Sequence, residues 1–308
     1  MKVAICIATF RRPDGLERLI RSLSALSFRE QPPVIQVIVV DNDAASSVRD
    51  RCESLQMQSR WPIHYVPEPR RGIPFARNTA VRTAWSHNVD LIAFIDDDEV
   101  PQPEWLDVLL SVMREHSADI VTGPVLPEFE VEPPMWIRKG KFFDRARHVT
   151  GTLIDRVAAG NVLVQSKVFK GLPDLFDERK ALSGGTDTHF FLRAAAMGRK
   201  IVWADEAVVR EWNPASRVNA RWLALRAFRG GNMWTTCEQE FHPSPAKRAV
   251  RAAKAIARIA HGVAIFPLGL VLGRDVLLRS VQHVCSGAGS IASMAGVVYN
   301  EYRSTHGG

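Results

Sequence analysis

The sequence predicts an α/β fold on a parallel sheet, followed by a C-terminal helical appendage. Three observations carry that expectation. Short apolar runs alternate with segments of helical period through the first half of the 308 residues, acidic and polar clusters close several of those runs, and the composition changes near residue 245. Strands alternating with helices call for right-handed crossovers and place ligands beyond the strand C-terminal ends, where these clusters fall.

Val3 to Ala8 is a continuous apolar run, as suits a strand covered on both faces. Asp14 and Glu17 have the spacing of an N-cap and capping box. Leu16, Leu19, Ile20, Leu23 and Leu26 then share one helix face. Val34 to Val40 reads as a second strand, ended by Asp41-Asn42-Asp43, and Ile63 to Val66 as a short third. Phe75 to Trp85 has helical character, and Leu91 to Ile95 is a strand running into Asp96-Asp97-Asp98-Glu99. A helix over Trp105 to His116 and a strand over Ile120 to Val125 continue the alternation. Residues 127 to 150, rich in Pro, aromatic and basic residues, read as an irregular excursion or lid. Val157 to Val164 is expected as a strand, Thr186 to Met197 as a helix and Lys200 to Ala204 as a strand.

Beyond residue 245, Lys247, Arg251, Lys254 and Arg258 share a helix face, and an apolar run from Gly262 to Gly273 is broken by Pro267. Ser280 to Asn300 carries no Asp, Glu, Lys or Arg. Three readings stay open for 262–300: packing on the core, lying on an anionic membrane face, or spanning it. The division expected is 1–235 for the main domain and 236–308 for the tail.

The composition is that of a globular chain, 46% hydrophobic and 24% charged. Mean hydropathy near zero (−0.08) argues against a multi-span membrane protein. Forty Lys and Arg against 33 Asp and Glu leave a net charge of +7, which points to an anionic partner: nucleic acid, a phosphorylated substrate or an anionic membrane. The basic surplus lacks aromatic interleaving, which disfavours nucleic acid. The four cysteines form no CxxC, and Cys237 and His242 have no partner at ligand spacing, so neither a zinc site nor a disulfide framework is expected. The first apolar run is too short for a signal peptide, and a cytoplasmic location is expected. Walker A and GxGxxG sequences are absent.

Four clusters carry chemistry. Three adjacent carboxylates at the end of a buried strand are costly unless a cation neutralises them, and Mg²⁺ or Mn²⁺ takes such oxygen ligands beside substrate phosphates. In an extended chain Asp96 and Asp98 would face one ligand. Asp41-Asn42-Asp43 has the letters of a base or ribose contact, and equally of an Asx turn. Arg71 to Asn78 opens a helix, either an ordinary capped surface helix or one whose amides and Arg favour a phosphate. Ser183 to His189 opens another, with Asp187 either an N-cap or a carboxylate presented to a reacting hydroxyl.

Together these pieces resemble the family 2 glycosyltransferases. The matching segments are Ala8 to Pro13, Val39 to Asp43, Gly72 to Asn78, Phe94 to Glu99 and Gly184 to Phe191, and the resemblance covers roughly residues 1 to 235. Within the family it is most similar to bacterial enzymes of succinoglycan-type exopolysaccharide synthesis. It implies the GT-A fold, a Rossmann-like nucleotide-binding half fused to an acceptor-binding half. It also implies an inverting, metal-dependent hexosyl transfer from a nucleotide-sugar, UDP-sugar favoured, to a saccharide acceptor carried on a lipid. By the same resemblance Thr9 and Asp41 contact the base, with Asp43, Asn78 and Asp97 in the nucleotide-sugar site. Arg77 meets the ribose or diphosphate, Asp96 and Asp98 belong to the DxD motif with Asp98 the direct Mg²⁺ or Mn²⁺ ligand, and Asp187 is the general base. Thr186 stands where the family often has Glu, and His189 where an acid is common. A nucleotidyltransferase, or a binding module without turnover, shares these letters. Trp136 and Trp212 are candidates for sugar stacking, and Glu211 and Arg217 for shaping the acceptor side.

Overall fold

The computed structural model describes residues 1–155, 157–172, 175–181, 184–241 and 243–299. Ser183, His242 and Asn300, singled out above, lie outside the described residues. In chain order the elements begin β1 (Lys2–Thr9), α1 (Pro13–Ser24), β2 (Val34–Asp41), α2 (Arg49–Gln56), β3 (Ile63–Pro67), α3 (Ile73–Ser86) and β4 (Leu91–Ile95). Next come β5 (Glu99–Pro101), α4 (Trp105–Glu115), β6 (Ile120–Thr122), β7 (Val125–Phe129), α5 (Met135–Gly140), β8 (Asn161–Gln165) and α6 (Ser166–Lys170). The rest are α7 (Thr186–Ala196), β9 (Ile201–Trp203), β10 (Val209–Asn213), α8 (Ala220–Phe241), α9 (Pro245–Leu272) and α10 (Arg274–Met294).

Seven strands form the main sheet in the order β3-β2-β1-β4-β8-β6-β9, and β5, β10 and β7 form a smaller one. Strand β1 shows why its sequence is apolar throughout. Val3, Ile5 and Ile7 join the core under α1, α2 and α4, while Ala4 and Cys6 join the opposite core with α3 and α7. Leu16, Leu19 and Leu23 of α1 are fully buried in the first of these cores. Each such Leu is worth roughly 1.5–3 kcal/mol over its exposed state.

The structure departs from the sequence expectations in identifiable ways. Strand β8 runs antiparallel to both neighbours, pairing Ile95 with Asn161 and Leu91 with Gln165. The chain enters β8 at the C-terminal end of β4, so it descends beside that strand without a crossover. The expected strand 120–125 is two strands in different sheets. Gly123 separates them, because a Cβ there would meet the Ala207 carbonyl oxygen at 2.4 Å, and Pro124 supplies no N–H to continue a ladder. The Asp14–Glu17 capping box does not form. Arg12 is the N-cap and Pro13 the first helical residue, which leaves Asp14 inside the first turn; Glu17 pairs with Arg21 at 2.7 Å and with Arg51. The 127–150 segment contains the end of β7 and the whole of α5.

The tail is three helices. α8 runs through residue 235, and α9 continues past Pro267, which sits in the helix interior. Glycines let the helices approach: a Cβ on Gly262 would lie 2.7 Å from the Ser280 carbonyl oxygen, and one on Gly231 2.0 Å from that of Ser286. Of the basic stripe, Arg251 turns inward and is buried, donating to the Glu238 carbonyl at 3.5 Å, while Lys247, Lys254 and Arg258 are exposed. α9 keeps Val263, Phe266, Leu268, Leu270, Val271 and Leu272 exposed. Among the described residues it is the helix long and apolar enough to cross a membrane.

Candidate active site

The main cavity, of about 320 Å³, opens beyond the C-terminal ends of β1, β2 and β4. Thr9, Arg12, Arg77 and Asp96–Asp98 line one side, and Glu211, Arg217, Trp222, Arg226 and Arg229 the other.

The acidic triplet does not extend β4. It is a turn closed by Glu99 N–H donating to the Asp96 carbonyl at 3.0 Å, so its three side chains diverge. Asp97 points inward, accepting from Thr9 Oγ1 at 2.8 Å and from Arg12 Nη1 at 2.9 Å. Asp98 accepts from Arg12 at 3.0 Å and from Arg217 at 3.2 Å, and Asp96 from Arg77 at 3.4 Å. The Asp96 and Asp98 side chains are 40% and 16% exposed, against 7% for Asp97. Burial pushes the Asp97 carboxyl up, opposed by Arg12 and reinforced by Asp98. The Asp96 carboxyl is raised by enclosure, with Arg77 opposing and Asp98 adding to it. Behind the turn Glu99 is 2% exposed and accepts from Asp96 N–H at 2.9 Å; burial holds its carboxyl well above the ordinary range.

On the β2 side, Asp41 is fully buried, its oxygens accepting from Asp43 N–H at 3.1 Å, Val48 N–H at 3.2 Å and Tyr65 Oη at 3.0 Å. Asp43 pairs with Arg11 at 3.0 Å. Asn42, which does line the cavity, donates to the carbonyls of Glu68 and Arg70 at 3.0 and 2.7 Å and accepts from Gly72 N–H at 2.8 Å. Asn78 lies away from the cavity, tying Phe176 to α3 through two 2.9 Å hydrogen bonds. Asp187 stands in the first turn of α7, accepting from Ala159 N–H at 3.2 Å, with Arg77 Nη1 4.0 Å away. Arg77 thus lies between Asp96 and Asp187. Gly185 rather than Asp187 is the N-cap of α7, in a left-handed conformation at φ 76°. Thr186 is buried, and His189 pairs with Glu240 at 2.8 Å.

Of the sequence candidates, Thr9, Arg77, Asp96, Asp97, Asp98, Glu211 and Arg217 share the cavity; Asp41, Asp43, Asn78 and Asp187 lie behind or beside its wall. Trp136 packs on Phe142, and the Trp212 ring stacks under Arg18, so neither lines the cavity. Arg12, Glu99, Trp222, Arg226 and Arg229 had no role assigned from sequence. A signal existed for the last three, since spacings of four and three put them on one helix face. Among the described residues no three His, Cys, Asp or Glu side chains assemble a closed ion site. Two oxygen-bearing carboxylates facing a cavity nevertheless match the donor set of Mg²⁺ or Mn²⁺, which complete their shells with water and substrate phosphates.

Comparisons with known proteins agree with this arrangement. The chain is 35% identical over 231 residues to the succinoglycan biosynthesis protein ExoM of Rhizobium meliloti, covering 75% of this chain and 73% of that one. Among solved structures, the mannosyltransferase PcManGT of Pyrobaculum calidifontis, in complex with GDP-Man and Mn²⁺, superposes with a TM-score of 0.65. The identity is 15%, with 95% of this chain and 86% of that chain covered. S. aureus TarS 1–349 with UDP-GlcNAc gives a TM-score of 0.54 at 14% identity, over 97% of this chain and 93% of that one. These neighbours have the GT-A fold, and so does this chain, with its C-terminal helices added. The model of glycosyl transferase family 2 matches residues 4–199, and with that match the chain belongs to this family of glycosyltransferases.

Proposed function

We propose that this chain transfers a sugar, with inversion, from a nucleotide-sugar donor (a UDP-sugar first) to a saccharide acceptor carried on a lipid, in exopolysaccharide or other cell-surface polysaccharide synthesis. The observation that supports it best is the cavity in which Thr9, Arg77 and the Asp96–Asp98 turn meet, beside Asp187. A relative in succinoglycan synthesis and neighbours holding UDP-GlcNAc and GDP-Man support the same reading.

In this reading the nucleotide lies against Thr9, Asn42 and Gly72. Asp41 and Asp43 serve it by fixing the loop that Asn42 organises, because the Asp41 carboxylate already has three protein donors. Asn78 serves by holding α3, and Asp97 by holding Thr9 and Arg12 in place. Asp98 and Asp96 would hold Mg²⁺ or Mn²⁺, which supplies neutralising charge to the donor diphosphate. Arg77 adds fixed positive charge where the leaving group gathers negative charge. Asp187 takes the proton of the acceptor hydroxyl as that oxygen attacks the anomeric carbon from the face opposite the diphosphate. The catalytic domain is assigned to 1–235 and the tail to 236–308. A place in the cytoplasm, against the inner face of the cytoplasmic membrane, is part of this reading, and the exposed apolar side of α9 with its basic neighbours supports the membrane contact.

The test is thermal stability with nucleoside diphosphates and sugar nucleotides, each with Mn²⁺ and with chelator. A ligand that binds the native state raises stability by mass action, so a metal-dependent shift with UDP is expected. No shift with any nucleotide would remove the donor site from this reading. Release of pyrophosphate from a nucleoside triphosphate and a sugar phosphate would turn it towards nucleotidyl transfer.

A further inference from the structure

The cavity wall facing the acidic turn is built by residues downstream of the family-matched segment 4–199. Arg217 precedes α8, and Trp222, Arg226 and Arg229 lie on its first turns. Trp222 stacks on Phe143 with ring centroids 5.7 Å apart and planes 5° from parallel. The Arg226 guanidinium sits 5.2 Å from the Trp222 ring and 5.7 Å from that of Phe143, while Arg229 lies 5.9 Å from Trp222. Two aromatic faces thus hold Arg226 in one position at the cavity wall.

Among the described residues, cations outnumber carboxylates around it. Glu211 is the nearby carboxylate, and it is already engaged by Arg145 at 2.7 Å and approached by Arg217 at 3.9 Å. Among the described residues Arg226 has no carboxylate within 4 Å. Burial lowers the Arg226 pKa, Glu211 opposes that, and Arg145, Arg229 and Arg217 add to it. The guanidinium stays charged even so, and an oxyanion entering the cavity would relieve the repulsion.

We propose that Arg226, with Arg217 and Arg229, forms a phosphate-binding wall in the cleft, deepening the transfer reading by giving α8 a direct part in substrate binding. The planar fork of a guanidinium suits two phosphate oxygens at once. The phosphate belongs either to the donor diphosphate or to the group that links the acceptor to its lipid. Both have the same chemistry, and binding measurements separate them.

The experiment compares wild type, Arg226→Gln and Arg226→Lys by calorimetry with Mn²⁺ present. One titration uses UDP. The other uses inorganic pyrophosphate after UDP has been added to saturation. Loss of UDP affinity by about tenfold or more in Arg226→Gln, with partial recovery in Arg226→Lys, establishes the wall and assigns it to the donor. Unchanged UDP affinity with loss of pyrophosphate binding establishes it and assigns it to the acceptor. Unchanged affinity in both titrations overturns the proposal. If wild type binds no UDP, the donor reading fails separately, and the pyrophosphate titration without nucleotide still decides the wall. Arg226→Lys keeps the aliphatic stem against Trp222 and serves if Arg226→Gln does not fold.

Discussion

Arg217 Nη2 donates to Asp98 Oδ2 at 3.2 Å, joining positions 119 residues apart. That bond brings the segment before α8 onto the acidic turn, where Arg12 reaches the same oxygen at 3.0 Å. Asp98 therefore connects the acidic turn after β4 and the segment after β1 to the segment before α8. Replacing it tests cation binding and this connection together.

Asp98→Ala should remove the Mn²⁺-dependent part of the UDP thermal shift and weaken UDP by about tenfold or more, near 1.4 kcal/mol. Equal UDP affinities with and without Mn²⁺ in the variant, against a clear difference in wild type, are the expected pattern. A retained Mn²⁺ effect would deny Asp98 a ligand role.

Asp187→Asn keeps an oxygen to accept from Ala159 N–H but loses the base. Transfer should fall by about 10²–10⁴-fold while the UDP shift stays at the wild-type value. Single-turnover assays decide it, and wild-type transfer would take Asp187 out of the chemistry.

Gly72 has φ 140°, and a Cβ there would meet the Ala181 Cβ at 2.8 Å and its carbonyl oxygen at 2.9 Å. Gly72→Ala should cost about 1–3 kcal/mol of stability and weaken nucleotide binding through Asn42. Gly198 has φ 76° with open space around it, so Gly198→Ala should leave nucleotide affinity unchanged. Denaturant melts and UDP titrations of both variants check the contrast.

Burial holds the His189 pKa below its ordinary 6.5, with Glu240 opposing and Lys180 and Arg193 adding. Below pH 6.5 the unfolded chain binds a proton that the folded chain resists, so this group lowers stability as pH falls, until the folded pKa is passed. His189→Gln should flatten the slope of Tm against pH between about 6.5 and 5. Parallel slopes for the two proteins would refute it.

Leu270 and Val271 are 68% and 85% exposed on α9. The protein should float with liposomes containing anionic lipid and much less with neutral ones, as basic residues near such a surface contribute about 1 kcal/mol each. Val271→Asp should reduce flotation on both. Equal failure of wild type on both lipids would count against a membrane surface.

The sequence by itself determined the main apolar strands and amphipathic helices of the first half and the acidic clusters at their ends. Apolar periodicity records which faces must be buried, and strands β1, β2 and β4 follow the runs that begin near Val3, Val34 and Leu91. Parallel topology collects the strand ends that carry the Asp96–Asp98 cluster, and the family resemblance added Thr9 and Arg77 to the same group; all of them line one cavity. Tertiary structure alone decided the antiparallel entry of β8, because the direction of a strand depends on where the preceding excursion returns. It alone separated Asp41, sealed behind Asn42, from the residues that line the cavity: adjacent side chains point apart, and only packing decides which one reaches solvent. It alone joined Arg217 to Asp98 and set Arg226 in the wall of the same cavity, because local helical spacing does not encode a pairing across 119 residues.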